Sequence, residues 1–318
     1  TDAEATLAQI NALVKAGCDI VRVSVPTAEA VEPFGRICSL SPVPIVADIH
    51  FDYRLAIAAV EHGASKLRIN PGNIGSWDRV DAVIDAAGQA GAAIRIGVNA
   101  GSLDKDIASR EDLTQVDKLV ASSMQFVDHF EARGFTDIVL SAKAHSVSTT
   151  LETYRRLSSE LPQIPLHLGV TEAGGIQQGT IKSSIALGAL LAEGIGDTMR
   201  VSLTADPVEE VPVAWGILSA LELRRRGPEI VSCPTCARCQ VDLIEIADEV
   251  TRRLASCTKP ITVAVMGCVV NGPGEASDAD VGVACGRGSA LLFRHGEVVR
   301  KVDESQIVDA LIEEAEAL

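Results

Sequence analysis

The chain contains no run of about 18 consecutive apolar residues, which excludes a transmembrane helix of ordinary length. It does not open on a basic segment followed by an apolar one, the pattern of a secretory signal. Because it begins at Thr1 rather than Met, a trimmed N-terminus is expected. Positive charge is in deficit: 28 Lys and Arg stand against 43 Asp and Glu, a formal net charge of −15. Such an acidic balance argues against non-specific binding to nucleic acid. It also means that any anionic ligand needs a local concentration of basic side chains. Low-complexity tracts are absent. No second CxxC accompanies Cys233-Pro234-Thr235-Cys236, so a zinc ribbon does not fit.

What is present is a foldable composition, 47% hydrophobic and 22% charged over 318 residues, enough for a large domain and a small one. Up to about residue 227 a unit repeats: a helical stretch ends in Gly, and a short apolar strand follows. Gly17, Gly63, Gly91, Gly134 and Gly194 mark the junctions, where glycine closes a helix in the left-handed conformation at little cost. Alternating helices and strands make an α/β sheet. Seven strands are expected, over 19–25, 43–49, 65–70, 92–98, 136–142, 165–170 and 197–203. Thr1-Asp2-Ala3-Glu4 reads as a capping box opening a helix. A strand before that helix would complete a (β/α)8 TIM-type barrel, with the first strand upstream of Thr1; an open doubly wound sheet is the alternative. The domains expected are a barrel over 1–227 and a small α+β module over 228–318. In the module a cysteine-rich turn (233–239) leads to a helix near 241–256, strands near 261–266, 281–284, 290–294 and 297–301, and a final helix from about Asp303.

Side chains alternate across a strand with period 2. One parity is apolar, and the other places polar groups toward the C-terminal ends: Arg22 and Ser24; Asp48 and His50; Arg68 and Asn70; Arg95 and Asn99 across Gly97; Ser141 and Lys143; His167 and Thr171 across Gly169, with Glu172 just beyond; Arg200 and Ser202. In a barrel these ends meet at one mouth. Five cations, Arg22, Arg68, Arg95, Lys143 and Arg200, would then converge. Arginine suits phosphate oxygens through paired hydrogen bonds, so a multiply charged anion is the expected guest. Lumen ion pairs with Asp48 and Glu172 are the purely structural reading.

Five of the eight cysteines fall between 233 and 268, which in a chain without a secretory signal reads as a metal or redox site. Cys233, Cys236 and the distant Cys268 suit an iron–sulfur cluster better than a redox dithiol. The fourth donor is open between Cys239, which completes C-x2-C-x2-C, and Glu275 on the loop Asn271-Gly272-Pro273-Gly274-Glu275, whose glycines are expected to let the backbone bend tightly. Cys18, Cys38, Cys257 and Cys285 read as core thiols.

The segments Val21–Pro26, Ala47–Phe51, Leu67–Gly75, Ile94–Leu103, His167–Gly174 and Arg200–Leu203, with Cys233–Cys236 and Gly267–Glu275, resemble the (E)-4-hydroxy-3-methylbut-2-enyl diphosphate synthase family over nearly the whole chain. The resemblance implies reductive opening and dehydroxylation of 2-C-methyl-D-erythritol 2,4-cyclodiphosphate with two electrons, in isoprenoid biosynthesis. It implies a [4Fe–4S] cluster on Cys233, Cys236, Cys268 and Glu275. It also implies diphosphate binding by Arg22, Arg68, Arg95, Lys143, Arg200 and Ser202, with Asn99 a further contact. Glu172 is the implied proton-handling carboxylate, and Asn271 lies beside the cluster. A cytoplasmic homodimer served by flavodoxin or ferredoxin is expected. Cys239 stands where the family usually has another residue. An electron-transfer or redox-sensing module on a barrel scaffold is the competing function.

Overall fold

The structure, a computed structural model, describes residues 2–318 apart from Asp104 and Asn271; the side chains of Lys105 and Glu275 also lie outside the described residues. The chain forms two compact units, Thr1–Leu221 and Glu222–Leu318.

The first unit runs α1 (Ala3–Ala16), β1 (Val21–Ser24), α2 (Val31–Leu40), β2 (Ile45–Asp48), α3 (Tyr53–Glu61), β3 (Lys66–Ile69), α4 (Pro71–Ile74), α5 (Trp77–Ala90), β4 (Ala93–Asn99), α6 (Lys105–Ala108), α7 (Gln115–Ala132), β5 (Ile138–Lys143), α8 (Val147–Glu160), β6 (His167–Leu168), α9 (Ile176–Ala192), β7 (Thr198–Met199) and α10 (Glu210–Ala220). Strands β1 to β5 pair in chain order and all in parallel. A parallel bridge from Leu140 to Leu166 carries the order on to β6, which pairs with β7. A doubly wound sheet reverses strand order at a switch point. An order that never reverses belongs to a barrel, so the open-sheet alternative falls away. Strands β6 and β7 are shorter than their sequence windows because the ladder there continues only as single bonds, such as Arg200 N–H to Leu168 O at 3.0 Å and Thr171 N–H to Ala144 O at 3.2 Å.

Local signals account for much of this. Asp2 caps α1, its carboxylate accepting from the N–H groups of Glu4 (3.0 Å) and Ala5 (3.1 Å). The cap is thus a single Asp, and Thr1 lies outside the described residues. Gly17 and Gly91 close α1 and α5 at φ 106° and 66°, a region costly for any residue with a Cβ. The core follows strand parity. Ile94, Ile96 and Val98 of β4 face the helices, as do Leu67 and Ile69 of β3 and Ala47 of β2. The other parity is left to line the barrel's interior.

The second unit begins with β8 (Glu229–Ser232), which the sequence windows missed, followed by α11 (Leu243–Leu254), β9 (Thr262–Met266), α12 (Gly272–Glu275), β10 (Val281–Gly286), β11 (Ser289–Arg294), β12 (Glu297–Asp303) and α13 (Ile307–Glu316). Its sheet order is β12-β11-β10-β9-β8; β8, β9 and β10 are parallel, while β11 and β12 are antiparallel hairpin partners. Helices α11 and α13 bury Val250, Leu254, Ile307 and Leu311 in a core with Val263, Val265, Val283 and Leu292 of the sheet. Asp303 ends β12, and α13 starts at Ile307 after a single 3-10 turn.

Candidate active site

The inward parity of β1 to β7 assembles the predicted cations. Register places Asp48 of β2 beside Arg68 of β3, and Arg68 beside Arg95 of β4, in one row across three strands. Asp48 is buried and bridges two cations, with Arg22 Nη1 at 3.3 Å and Arg68 Nη1 at 3.2 Å from its two oxygens. Arg95, equally buried, donates to Ser141 Oγ at 3.1 Å. Arg200 donates to Ser202 Oγ at 2.8 Å. With its amide oxygen turned toward Arg68, Asn99 accepts from Nη2 at 3.0 Å. Lys143 closes β5 next to Asn99 in register and is 5% exposed. Asn70, of the same parity as Arg68, is spent elsewhere: its side chain donates to Ser102 and caps Gly72 N–H.

The balance of charge is uneven. Among the described residues Asp48 is the carboxylate bonded to this cluster, against five cations; Glu210, at the start of α10, attracts Arg22 and Arg200 at longer range. One carboxylate shared between Arg22 and Arg68 leaves the cluster with net positive charge, and like charges in a poorly solvated site repel. Proton affinities record the strain. Burial first, then repulsion from neighbouring cations, pushes Arg95 down to about 9. Burial lowers Arg22 to about 10, with Asp48 pulling the other way. Lys143 falls well below the ordinary lysine value through burial and repulsion from Arg200, Arg95, Arg22 and Arg68. Burial, followed by the Lys143 charge, pushes His167 well below the ordinary histidine value.

Three buried polar atoms here have no partner in the structure: Arg68 Nε, Arg200 Nε and His167 Nε2. Buried polar groups are nearly always satisfied, so an unpaired group among cations marks a place for an anion's oxygens. Asp48, Ser141 and His167 lie within the polar pattern but were not among the expected ligand-binding residues. The Asp48 pairs match the lumen ion pairs expected of it, while the bonds of Ser141 to Arg95 and of His167 to Thr198 follow only from how neighbouring strands stand side by side.

Glu172 sits past β6, exposed, at φ 54°. A non-glycine residue held there costs on the order of 1–3 kcal/mol and is commonest at functional sites.

In the second unit, Cys233 follows β8 and Cys268 lies just past β9, at the ends of adjacent parallel strands. Gly267 N–H donates to Cys233 Sγ at 3.3 Å, and Gln240 N–H donates to Gly267 O at 3.1 Å, tying the two loops together. Cys239 N–H donates to Cys236 O at 2.9 Å. Cys236 is exposed, and its thiol is lowered first by the backbone N–H of Arg238 and then by that residue's side chain. Cys239 is close to the same centre: a Cβ on Gly267 would meet its Sγ at 2.7 Å. Soft thiol donors on two adjoining loops suit iron and sulfide. Among the described residues, however, no three His, Cys, Asp or Glu stand together as a ready ligand set. Asn271 and the Glu275 side chain lie outside the described residues. Gly272 and Gly274 have no positive φ, contrary to the bending role expected of them. Gly272 instead lets the loop lie on the sheet, where a Cβ would meet Ala284 Cβ at 2.8 Å and Met266 Cβ at 3.0 Å. Cys285 is a core thiol pushed up to about 12, chiefly by burial, and Cys38 is raised to about 11 the same way.

Both units match known family models: residues 1–215 the GcpE TIM-barrel domain, and residues 229–317 the GcpE protein C-terminal domain. The chain belongs to the GcpE family. Curated GcpE relatives span the full chain. A protein from Geobacter sulfurreducens named 4-hydroxy-3-methylbut-2-en-1-yl diphosphate synthase (flavodoxin) is 54% identical over 317 residues, 100% of this chain and 90% of that one. Relatives of the same name from Clostridium perfringens (52% identical, 100% and 90% covered) and Corynebacterium diphtheriae (53%, 99% and 80%) agree. The GcpE barrel model covers all five convergent cations, and its C-terminal model covers the cysteine loops.

Proposed function

We propose that this chain is an oxidoreductase that opens and dehydroxylates 2-C-methyl-D-erythritol 2,4-cyclodiphosphate to (E)-4-hydroxy-3-methylbut-2-enyl diphosphate in isoprenoid biosynthesis, taking up two electrons and releasing water. The observation that carries this reading is the cluster of Arg22, Arg68, Arg95, Lys143 and Arg200 around Asp48, with unpaired Nε atoms of Arg68 and Arg200. Such a cluster is destabilised while empty and relieved by a diphosphate.

The five cations, with Ser202 and Asn99, clamp the diphosphate and fix the ring's orientation before chemistry. Arg95 and Lys143 are buried, so their charges act through little water. Glu172, exposed on its constrained turn, holds or delivers the proton that leaves with the lost hydroxyl. Cys233, Cys236 and Cys268, with Glu275 as fourth ligand, would hold a [4Fe–4S] cluster, with Asn271 the neighbour that the family resemblance implies. When bound, that cluster supplies the two electrons one at a time. Flavodoxin, named for the relatives, or a ferredoxin provides them. The working form is a homodimer in the cytoplasm; no helix among the described residues is long and apolar enough to cross a membrane.

The test is anaerobic turnover after iron and sulfide reconstitution. Glu172→Gln is expected to lose most turnover while still binding the cyclic diphosphate, and Cys268→Ser is expected to lose both iron and turnover. Full activity in both variants would sink the mechanism.

A further inference from the structure

Two glycines on the inner face of the barrel have no conformational reason to be glycine. Gly97 lies inside β4 and Gly169 directly follows β6, and neither has a positive φ. Glycine within a strand weakens it and often marks a close approach by another group. At both positions the approaching group is a cation from the preceding strand. A Cβ on Gly97 would stand 2.7 Å from Arg68 Nε, 3.2 Å from its Nη2 and 3.3 Å from its Cζ. A Cβ on Gly169 would stand 3.0 Å from Lys143 Nζ and 3.2 Å from Lys143 Cε, with Arg200 O also at 3.2 Å.

The arrangement repeats. Arg68 of β3 crosses the strand after it at Gly97, and Lys143 of β5 crosses the one after it at Gly169. Arg68 is thereby stretched over three strands, bonded to Asp48 of β2 on one side and reaching Asn99 of β4 on the other. A methyl group at 97 would push against the middle of that side chain. The guanidinium would have to leave Asp48 or Asn99 to escape it. At 169 the methyl would meet the flexible tip of a lysine, which yields more easily, and the backbone carbonyl of Arg200, which does not.

We propose that Gly97 and Gly169 are positioning residues for the diphosphate site: their missing side chains are the berths through which Arg68 and Lys143 reach the centre of the barrel. The inference rests on the reading of the five cations as a diphosphate clamp. It adds that the clamp's geometry is set by two residues that touch no ligand, and it orders them, with Gly97 the more demanding.

The experiment is calorimetric titration of the full-length protein with inorganic pyrophosphate, for the native chain, Gly97→Ala, Arg68→Ala and the double variant, with unfolding midpoints measured alongside. Gly97→Ala is expected to weaken pyrophosphate about tenfold or more, the order of one misplaced charge-assisted hydrogen bond. Arg68→Ala should then cost little further in the Gly97→Ala background, because the arginine is already out of place. Independent, additive losses would overturn the proposal, since a merely structural glycine would produce them. So would native affinity in Gly97→Ala beside weakened binding in Arg68→Ala. Native affinity in Arg68→Ala would remove the diphosphate reading and the proposal together. If Gly97→Ala does not fold, the same cycle with Gly169→Ala and Lys143→Ala decides between coupled and additive losses, with a smaller expected loss of about threefold to tenfold, because the buried lysine's flexible end can settle close by.

Discussion

Asp48 holds Arg22 and Arg68 together at 3.3 and 3.2 Å while lying almost wholly out of solvent. Removing its charge leaves those guanidiniums facing Arg95 and each other. Breaking a buried pair by deleting one partner costs about 3–5 kcal/mol, so Asp48→Asn should markedly lower the thermal unfolding midpoint of the ligand-free protein. Saturating pyrophosphate should recover most of that loss, because the anion replaces the missing negative charge; a loss unchanged by pyrophosphate would contradict the clamp. The cations titrate in a matching sense. Arg95, near 9, and Lys143, well below its ordinary 10.5, hold protons more weakly in the folded chain than in the unfolded one. For such groups the unfolded state binds more protons as pH climbs above the folded value, so empty-site stability rises with pH there. An anion favours the protonated forms. Pyrophosphate affinity, corrected for the anion's own ionisation, should therefore fall as pH rises toward the Arg95 value near 9, with proton uptake on binding visible as a buffer-dependent heat. Affinity unchanged between pH 7 and 9 would be the contrary result.

At the level of elements, β8 and β9 bring the cysteine loops together by ending side by side in parallel. Cys233 and Cys268 belong to those strand ends, whereas Cys239 lies a turn later and donates to Val241 O at 3.3 Å. Cys239→Ser is therefore expected to keep near-native iron content after anaerobic reconstitution, and Cys268→Ser to lose it; equal losses would make Cys239 a ligand. Much of the barrel is legible in the chain because helix-closing glycines and period-2 strands are local signals, and the inward cations fell out of the same period. β8 was not legible: four residues, Glu229 to Ser232, at a sheet edge with little burial leave almost no pattern. The Asp48 ion pairs were legible as lumen pairs, but the emptiness needed at Gly97 was hidden for a different reason. It depends on which residue of the next strand stands alongside, a register that no single strand encodes. The glycines at 272 and 274 misled because sequence shows that a side chain is missing but not whether the backbone or a neighbour requires it.

Taken whole, the molecule sets a small basic centre in a chain of opposite net charge. It is strongly acidic, with a net charge of −15, yet five cations lie gathered at the strand ends of one unit. The remainder is more negative still. A diphosphate approaching from a distance meets repulsion, and attraction takes over only near the barrel mouth. Ionic strength acts unequally on these two ranges. Between about 10 and 100 mM salt the screening length falls from roughly 30 to 10 Å, muting the far field while leaving contacts inside the barrel largely intact. The second-order rate of anion capture should accordingly rise with added salt over that interval, the reverse of the usual behaviour of a basic binding site, and stopped-flow binding would read its sign directly. Gathering the cations inside the barrel of a net-negative chain thus makes the site slow to meet its ligand and strong once it does, a trade of encounter for retention that a surface patch of the same five residues would not make.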